Sequence, residues 1–282
     1  MSEYTHSILS LGAGVQSSAL ALMSEKGEAP KVDCAIFADT GAEPQGVYEW
    51  LSWLEKQVSF PVHRVKEKEG LTKSLEASAT TGARTANAPF YAKMGDYKDM
   101  GGSLVQVSER EGMLRRTCTH EFKIKPIEIK IREILGVAPG RRVPKGITVN
   151  SMQGISLDEI QRMKESPRYW SVFTYPLVDM RLPRHDCKLW MNRNGYPEPP
   201  RSACVYCPYH SNNEWRHLRD NDPQGWKEAI RVDELIRSGH QETDAKLYVH
   251  QSLKPLAEVD LRTDEDFGQM TFLGECDGMC GV

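Results

Sequence analysis

Residues 10–23, SLGAGVQSSALALM, decide the fold. A short apolar run (7–11, SILSL) reaches Gly12-Ala13-Gly14 and then becomes a small-residue helical stretch, 15–26, holding Ser17 and Ser18. A strand that hands over to a helix in this way presents backbone N–H groups at the positive end of a helix dipole, where an anion is favoured. Glycine lets the backbone approach that anion without a Cβ in the way. The spacing is neither GxGxxG nor GxxxxGK[ST], so it predicts neither a dinucleotide fingerprint nor a P-loop. A tight turn of small residues packed on a sheet would carry the same letters.

Working outward, VDCAIF (32–37) reads as a second buried strand that ends at Asp39-Thr40-Gly41. Pro44 then opens an amphipathic helix with Val47, Trp50, Leu51 and Leu54 on one face. A third short strand follows at 62–65. Helical spacing returns with Ile124, Ile127, Ile131 and Leu135, stopped by Gly136. KGITVNSMQGI (145–155) reads as a strand and its exit, and SLDEIQRM (156–163) as a helix with a Ser156/Glu159 capping box. WSVFTYPLVD (170–179) is the last core strand, before a helix at 184–194 and a Pro-rich turn at 197–200. Strands alternating with helices predict an α/β fold, a doubly wound, mostly parallel sheet with flanking helices. Residues 78–114 are rich in Gly, Ala and Thr without steady periodicity, and read as a long loop, either a substrate lid or an idle insertion. The division expected is 1–200 as one α/β domain carrying that insertion, and 201–282 as a C-terminal region of cysteine knuckle, helices and Gly-rich tail.

Composition narrows the class. With 39% apolar and 27% charged residues over 282 positions, the chain can bury a large core. A net charge of −3 argues against a broad basic face, though not against a local one. No run of 18 apolar residues predicts a membrane span, and the first residues lack a secretory pattern. The expected compartment is the cytoplasm, where seven cysteines read as metal, cluster or redox chemistry rather than disulfides.

Five stretches, in order, resemble the phosphoadenosine phosphosulfate (PAPS) reductase-like branch of the adenine-nucleotide α-hydrolase (PP-loop) superfamily. Residues 12–17 are similar to its Ser-Gly-Gly-x-Asp-Ser loop, with Gly12 for the first Ser and Gln16 for the Asp. FADTGAEPQGVYEW (37–50), RRTCTHEFKIKPI (115–127), GISLDEIQRM (154–163) and YPLVDMRLPRHDCKLWMNRNGYPEPP (175–200) resemble its later motifs. The resemblance implies an adenine-nucleotide site, for ATP, adenylyl sulfate (APS) or PAPS. Its residues would be Ser10, Gly12, Ala13, Gly14, Gln16, Ser17, Ser18, Asp39, Thr40, Gly41, Glu43, Arg115, Arg116, Lys123, Gly154 and Glu159. Mg2+ could accompany the phosphates. On their own terms, Asp39 also suits a helix cap, and the basic 115–125 segment suits either an oxyanion or solvent.

SACVYCPYH (202–210) sets Cys204 and Cys207 two residues apart, a knuckle that brings two thiolates to one metal centre. Iron–sulfur members of the superfamily imply a [4Fe–4S] cluster, here on Cys118, Cys187, Cys204 and Cys207. Zinc with His120 or His210, or ordinary buried thiols, are the alternatives; Cys34, in mid-strand, reads as core. Glu275-Cys276 resembles the start of the reductases' tail motif, which implies Cys276 as nucleophile and Cys280 as resolving thiol. Cluster ligands or a frayed tail are the other readings of that pair.

The expected function is reduction of adenylyl sulfate or PAPS to sulfite. An ATP-dependent thiolation enzyme inserting sulfur into a nucleic acid is the rival, and a non-catalytic nucleotide or cluster sensor is a third reading. The polar 211–240 helices mix basic and acidic residues, which suits a solvated surface better than a phosphate-tracking groove. A homo-oligomer is compatible with all three.

Overall fold

β1 (His6–Leu11) lies at the centre of a five-stranded sheet, and the rest of the architecture is arranged around it. The computed structural model describes residues 4–67, 69–83, 85–99, 104–237, 245–263 and 266. β1 leads through the glycine turn into α1 (Val15–Glu25), then β2 (Cys34–Asp39), α2 (Gln45–Leu54), β3 (Val62–Lys66) and α3 (Gly70–Thr81). A hairpin, β4 (Tyr91–Asp99) and β5 (Leu104–Met113), precedes a π-helical turn (His120–Ile124) that runs into α4 (Lys125–Ile134). β6 (Val149–Gln153), a 3₁₀ turn (Leu157–Arg162), β7 (Ser171–Thr174), α5 (Pro176–Asp179) and α6 (Arg184–Arg193) complete the main layer. α7 (Asn212–Asn221), α8 (Pro223–Arg237) and β8 (Lys246–Tyr248) follow.

The sheet order is β3-β2-β1-β6-β7 and every pairing is parallel, so the fold is the expected doubly wound α/β sheet. β2 and β6 are central strands and carry continuous buried runs, whereas β3, at one edge, is half-exposed. α1, α2 and α6 pack on one face, where Val47, Trp50, Leu51 and Leu54 of α2 are all buried as its periodicity predicts. α4 covers the other face with Ile131 against Ile8, Ile36 and Trp170. Cys34 is core, 5% exposed.

Three local expectations change. Residues 78–114 are not a bare loop: α3 ends at Thr81 and the stretch then forms the β4–β5 hairpin. Strand periodicity is hidden there by glycines and by a register shift at Asp96/Tyr97. The division at residue 200 does not separate two cores either. β8 pairs with β4, and one apolar cluster joins Leu71, Phe90 and Phe122 to Tyr206, Trp215 and Val232. Asp233, 1% exposed, fastens α8 to β8 by accepting from the Val249 and Leu256 amides. Finally, Ser156 and Glu159 form no capping box. Ser156 Oγ accepts instead from the Gln16 amide at 3.4 Å, and Glu159 pairs with Arg162 at 2.6 Å. The box that does form is Ser211/Glu214, at the start of α7. No helix among the described residues is long and apolar enough to cross a membrane.

β1 and β6 are neighbours whose next strands, β2 and β7, lie on opposite sides of the sheet, a switch point of the kind at which ligands bind in doubly wound folds. Gly154, at the exit of β6, lets α1 sit close. A Cβ there would fall 2.7 Å from Ser17 Cα and 2.8 Å from its amide nitrogen. Gly154→Ala is therefore expected to cost about 2 kcal/mol in urea unfolding. Gly112→Ala, with open space around it, should stay within about 0.5 kcal/mol. Equal effects would show that the close approach does not constrain the fold.

Candidate functional site

The turn after β1 is wound by its own backbone. Ala13, fully buried, holds a left-handed φ of 57°, a conformation that costs a residue with a Cβ about 1 kcal/mol or more. The Gly12 amide donates to Ser17 Oγ at 3.1 Å, and that hydroxyl donates to the Gly14 carbonyl at 3.4 Å. Gly14 is the extended N-cap of α1, and no side chain caps the helix. Ser18 closes the turn with its amide, which donates to the Gly14 carbonyl at 3.0 Å, while its fully buried hydroxyl accepts from the Trp50 indole at 2.9 Å. Gln16 is also turned inward, accepting from Arg184 at 3.0 Å while its amide reaches Ser156.

Beside this turn a cavity of ≈ 410 Å³ runs under the α4 face of the sheet. Its floor is the sheet and is mixed: Ser10 of β1, Ser151 and Gln153 of β6 and Ser171 of β7 stand among Ile8, Phe37 and Phe173. Ser151 and Ser171 share a hydrogen bond of 2.9 Å between their hydroxyls. Its roof is apolar, made by Ile124, Ile127 and Ile131. Gly12, Arg116, Lys123 and Ser202 also line it, as do Lys164 and Arg168. A Cβ on Gly14 would sit 4.0 Å from that of Ser202, which brings the 201–207 segment against the turn. Arg168 is neutralised by a two-pronged pair with Glu128 at 2.8 and 2.6 Å. Arg116 donates to Thr119 at 2.8 Å and lies over the Tyr209 ring.

The second turn, after β2, supports the wall rather than lining it. Asp39 accepts from the Gly41 amide at 2.7 Å and from Tyr48 at 2.8 Å, so it caps its own turn instead of α2. Burial, then the hydrogen bond to Asp39, pushes the Tyr48 phenol well up. Gly41 holds a φ of 73°, and a Cβ there would strike Lys66 Nζ at 2.8 Å. Glu43 has a fully buried carboxylate, held by Thr40 Oγ1 at 3.2 Å, Lys123 Nζ at 3.5 Å and Ser202 Oγ at 3.4 Å. Thr40 Oγ1 stands 3.3 Å from Cys204 Sγ and 3.3 Å from the Ala42 amide. With its single proton given to Glu43, Thr40 accepts from both of these neighbours, so the Cys204 thiol is the donor.

The structure thus brings Ser10, Gly12, Arg116 and Lys123 to the cavity, with Ala13, Gly14 and Ser17 in the adjoining turn. Asp39, Thr40, Gly41 and Glu43 stand behind its wall. Arg115 is exposed, and it is not among the lining residues. Gly154 serves helix packing. Glu159 is buried in its pair with Arg162, and burial raises its carboxyl. The polar side chains of the floor were missed. Their signal was VNSMQ and SVFT, strands that must be buried yet carry Ser and Gln.

The four cysteines expected around one centre are not assembled. Cys187 is fully buried in the α1/α6 core, whereas Cys118 and Cys204 border the separate cluster around Tyr206. Among the described residues no group of three or more His, Cys, Asp or Glu side chains is placed to hold a metal. His210, a candidate zinc ligand, packs edge-on against Trp215, and burial pulls its imidazole down to about 3. Cys276 and Cys280 lie outside the described residues.

No family model and no curated protein matches the sequence. Among solved structures, the chain is similar to the phosphoadenylyl-sulfate (PAPS) reductase from Candida auris in its phosphate complex. Identity is 13% and the TM-score 0.42, over 70% of this chain and 76% of that one.

The thiols are held as neutral groups. Burial raises Cys204 to about 12, with Glu43 adding to it, and raises Cys187 to about 12. Thiolate falls about tenfold for each pH unit below the pKa. Iodoacetamide at pH 8 should therefore leave both thiols unlabelled in the native protein and label both in urea, as read by mass spectrometry. Rapid native labelling of Cys204 would show that its thiol is not shielded.

Proposed function

We propose that the chain is an enzyme that binds an adenine nucleotide in the cavity under the α4 face of the sheet, beside the turn after β1, and acts on its phosphate or sulfate. The observation that carries the reading is the cavity, with serine and glutamine side chains in its floor, an apolar roof, and Arg116 and Lys123 on its wall beside an α-helix N-terminus without a side-chain cap. A flat heteroaromatic ring suits such a slot: one face lies against Ile124, Ile127 and Ile131, and the other over the sheet, beside Ser151, Ser171 and Gln153. Arg116 and Lys123 stand on the wall that also holds Gly12, where an oxyanion beside the turn would meet them. At ≈ 410 Å³ the cavity falls in the range of small-ligand sites.

The finer reading is reductive release of sulfite from APS or PAPS. What supports it is the sequence resemblance at Gln16 and at Glu275-Cys276. A thiolate of Cys276 attacking the sulfate sulfur would expel the nucleotide phosphate and leave an S-sulfonated cysteine. Attack by Cys280 would then release sulfite and form a disulfide, which a dithiol donor must reduce. The thiolation rival is supported by the single Cys118 where the reductases carry an adjacent pair.

Anaerobic incubation with labelled ATP, APS and PAPS in parallel separates these readings. Sulfite release is expected, and pyrophosphate release from ATP would overturn the reductase reading in favour of thiolation. Isothermal titration with the same nucleotides should show binding that Arg116→Ala weakens about tenfold and Ile127→Trp abolishes at unchanged melting temperature. Full binding by a folded Ile127→Trp protein would place the ligand elsewhere.

A further inference from the structure

The Glu43 carboxylate is wholly shielded from solvent, yet it faces a wall of the cavity through one cation, Lys123. An ionised carboxylate without water requires a compensating charge and a full set of hydrogen bonds. Thr40 and Ser202 supply hydroxyls, at 3.2 and 3.4 Å, and Lys123 supplies the charge at 3.5 Å. These partners come from three separate places: the turn after β2, the segment leading to the Cys204 knuckle, and the π-helical turn before α4. The Val205 amide ties the knuckle down again by donating to the Ala42 carbonyl at 2.8 Å.

We propose that Glu43 is a positioning residue which fixes the Lys123 ammonium in the cavity wall and offsets part of its charge, so that it tunes how strongly the cavity holds an oxyanion. This rests on the reading of the cavity as an oxyanion-binding site. The ammonium carries three donors on a flexible stem, and its direction is set by whichever acceptor is rigid. Glu43 is a rigid partner for it at 3.5 Å, because its own carboxylate is clamped on both oxygens by Thr40 and Ser202. The same clamp makes the effect on affinity definite in sign. Glu43 lies behind Lys123, and its negative charge opposes any anion in front. An amide in its place keeps an acceptor for the ammonium and removes the opposing charge.

The test uses the full chain, with adenosine 5′-monophosphate as the anionic probe, in a double-mutant cycle of Glu43→Gln and Lys123→Met. Glu43→Gln should tighten binding about fivefold, and Lys123→Met should weaken it about tenfold. In the Lys123→Met background, Glu43→Gln should change affinity by less than twofold, because the charge it modulates is gone. An equal effect of Glu43→Gln in both backgrounds, or a loss of affinity on Glu43→Gln alone, overturns the proposal. A second measurement does not depend on the ligand. Removing the carboxylate lowers the proton affinity of Lys123, so acetic anhydride should acetylate Lys123 several-fold faster in Glu43→Gln, with Lys31 as internal standard. Unchanged acetylation in a folded variant overturns the positioning role even where the probe binds. Changed acetylation with no binding by the wild type upholds the positioning of the ammonium and overturns the reading of the cavity, and with it the tuning of anion affinity.

Discussion

The close passage of α1 over the exit of β6 is the constraint on which the site depends. Without side-chain bulk at Gly154, the first turn of α1 comes within van der Waals distance of the neighbouring strand's end. At that contact the Gly12–Ser17 turn is closed by its own hydrogen bond, and Ala13 holds a left-handed conformation that a side chain disfavours. β1 and β6 are followed by strands on opposite sides of the sheet, and the carboxyl ends at such a switch point are where a doubly wound sheet receives a ligand.

From there the wall is assembled in two tiers. Side chains in the cavity, such as Arg116, Lys123 and Gln153, would meet a ligand. Behind them a second set of groups never reaches it: Glu43, Thr40, Asp39 and Trp50. Trp50 fixes Ser18, Asp39 fixes its own turn, and Glu43 joins that turn to Lys123 and Ser202. This division puts Asp39, Thr40 and Glu43 one layer behind the cavity that Ser10, Gly12, Arg116 and Lys123 line. The letters of the first three serve the shape of the wall.

Much of the sheet was legible because parallel strands buried on both faces leave unbroken apolar runs, and α2 shows its buried stripe at Val47, Trp50, Leu51 and Leu54. The hairpin was not legible, since residues 78–114 lack alternating apolar letters and gain their order from pairing with β8 far along the chain. In the site, the turns were visible through their glycines. The pairing of Glu43 with Lys123 was not, because tertiary ion pairs leave no periodic trace. Nor was the parting of Cys187 from Cys118 and Cys204, which depends on the face of the sheet to which α6 returns. Ser156 illustrates the limit of local rules: its sequence fits a capping box, yet the Gln16 amide claims its hydroxyl.

A crystal structure of the chain grown with an adenine nucleotide tests the central claim most directly. The account expects density for the ring between Ile127 and the Ser151–Ser171 floor, with the phosphate or sulfate beside Gly12, Arg116 and Lys123. A nucleotide seated on the α1 face of the sheet, or a cavity that stays filled by its own side chains at saturating nucleotide, would contradict it.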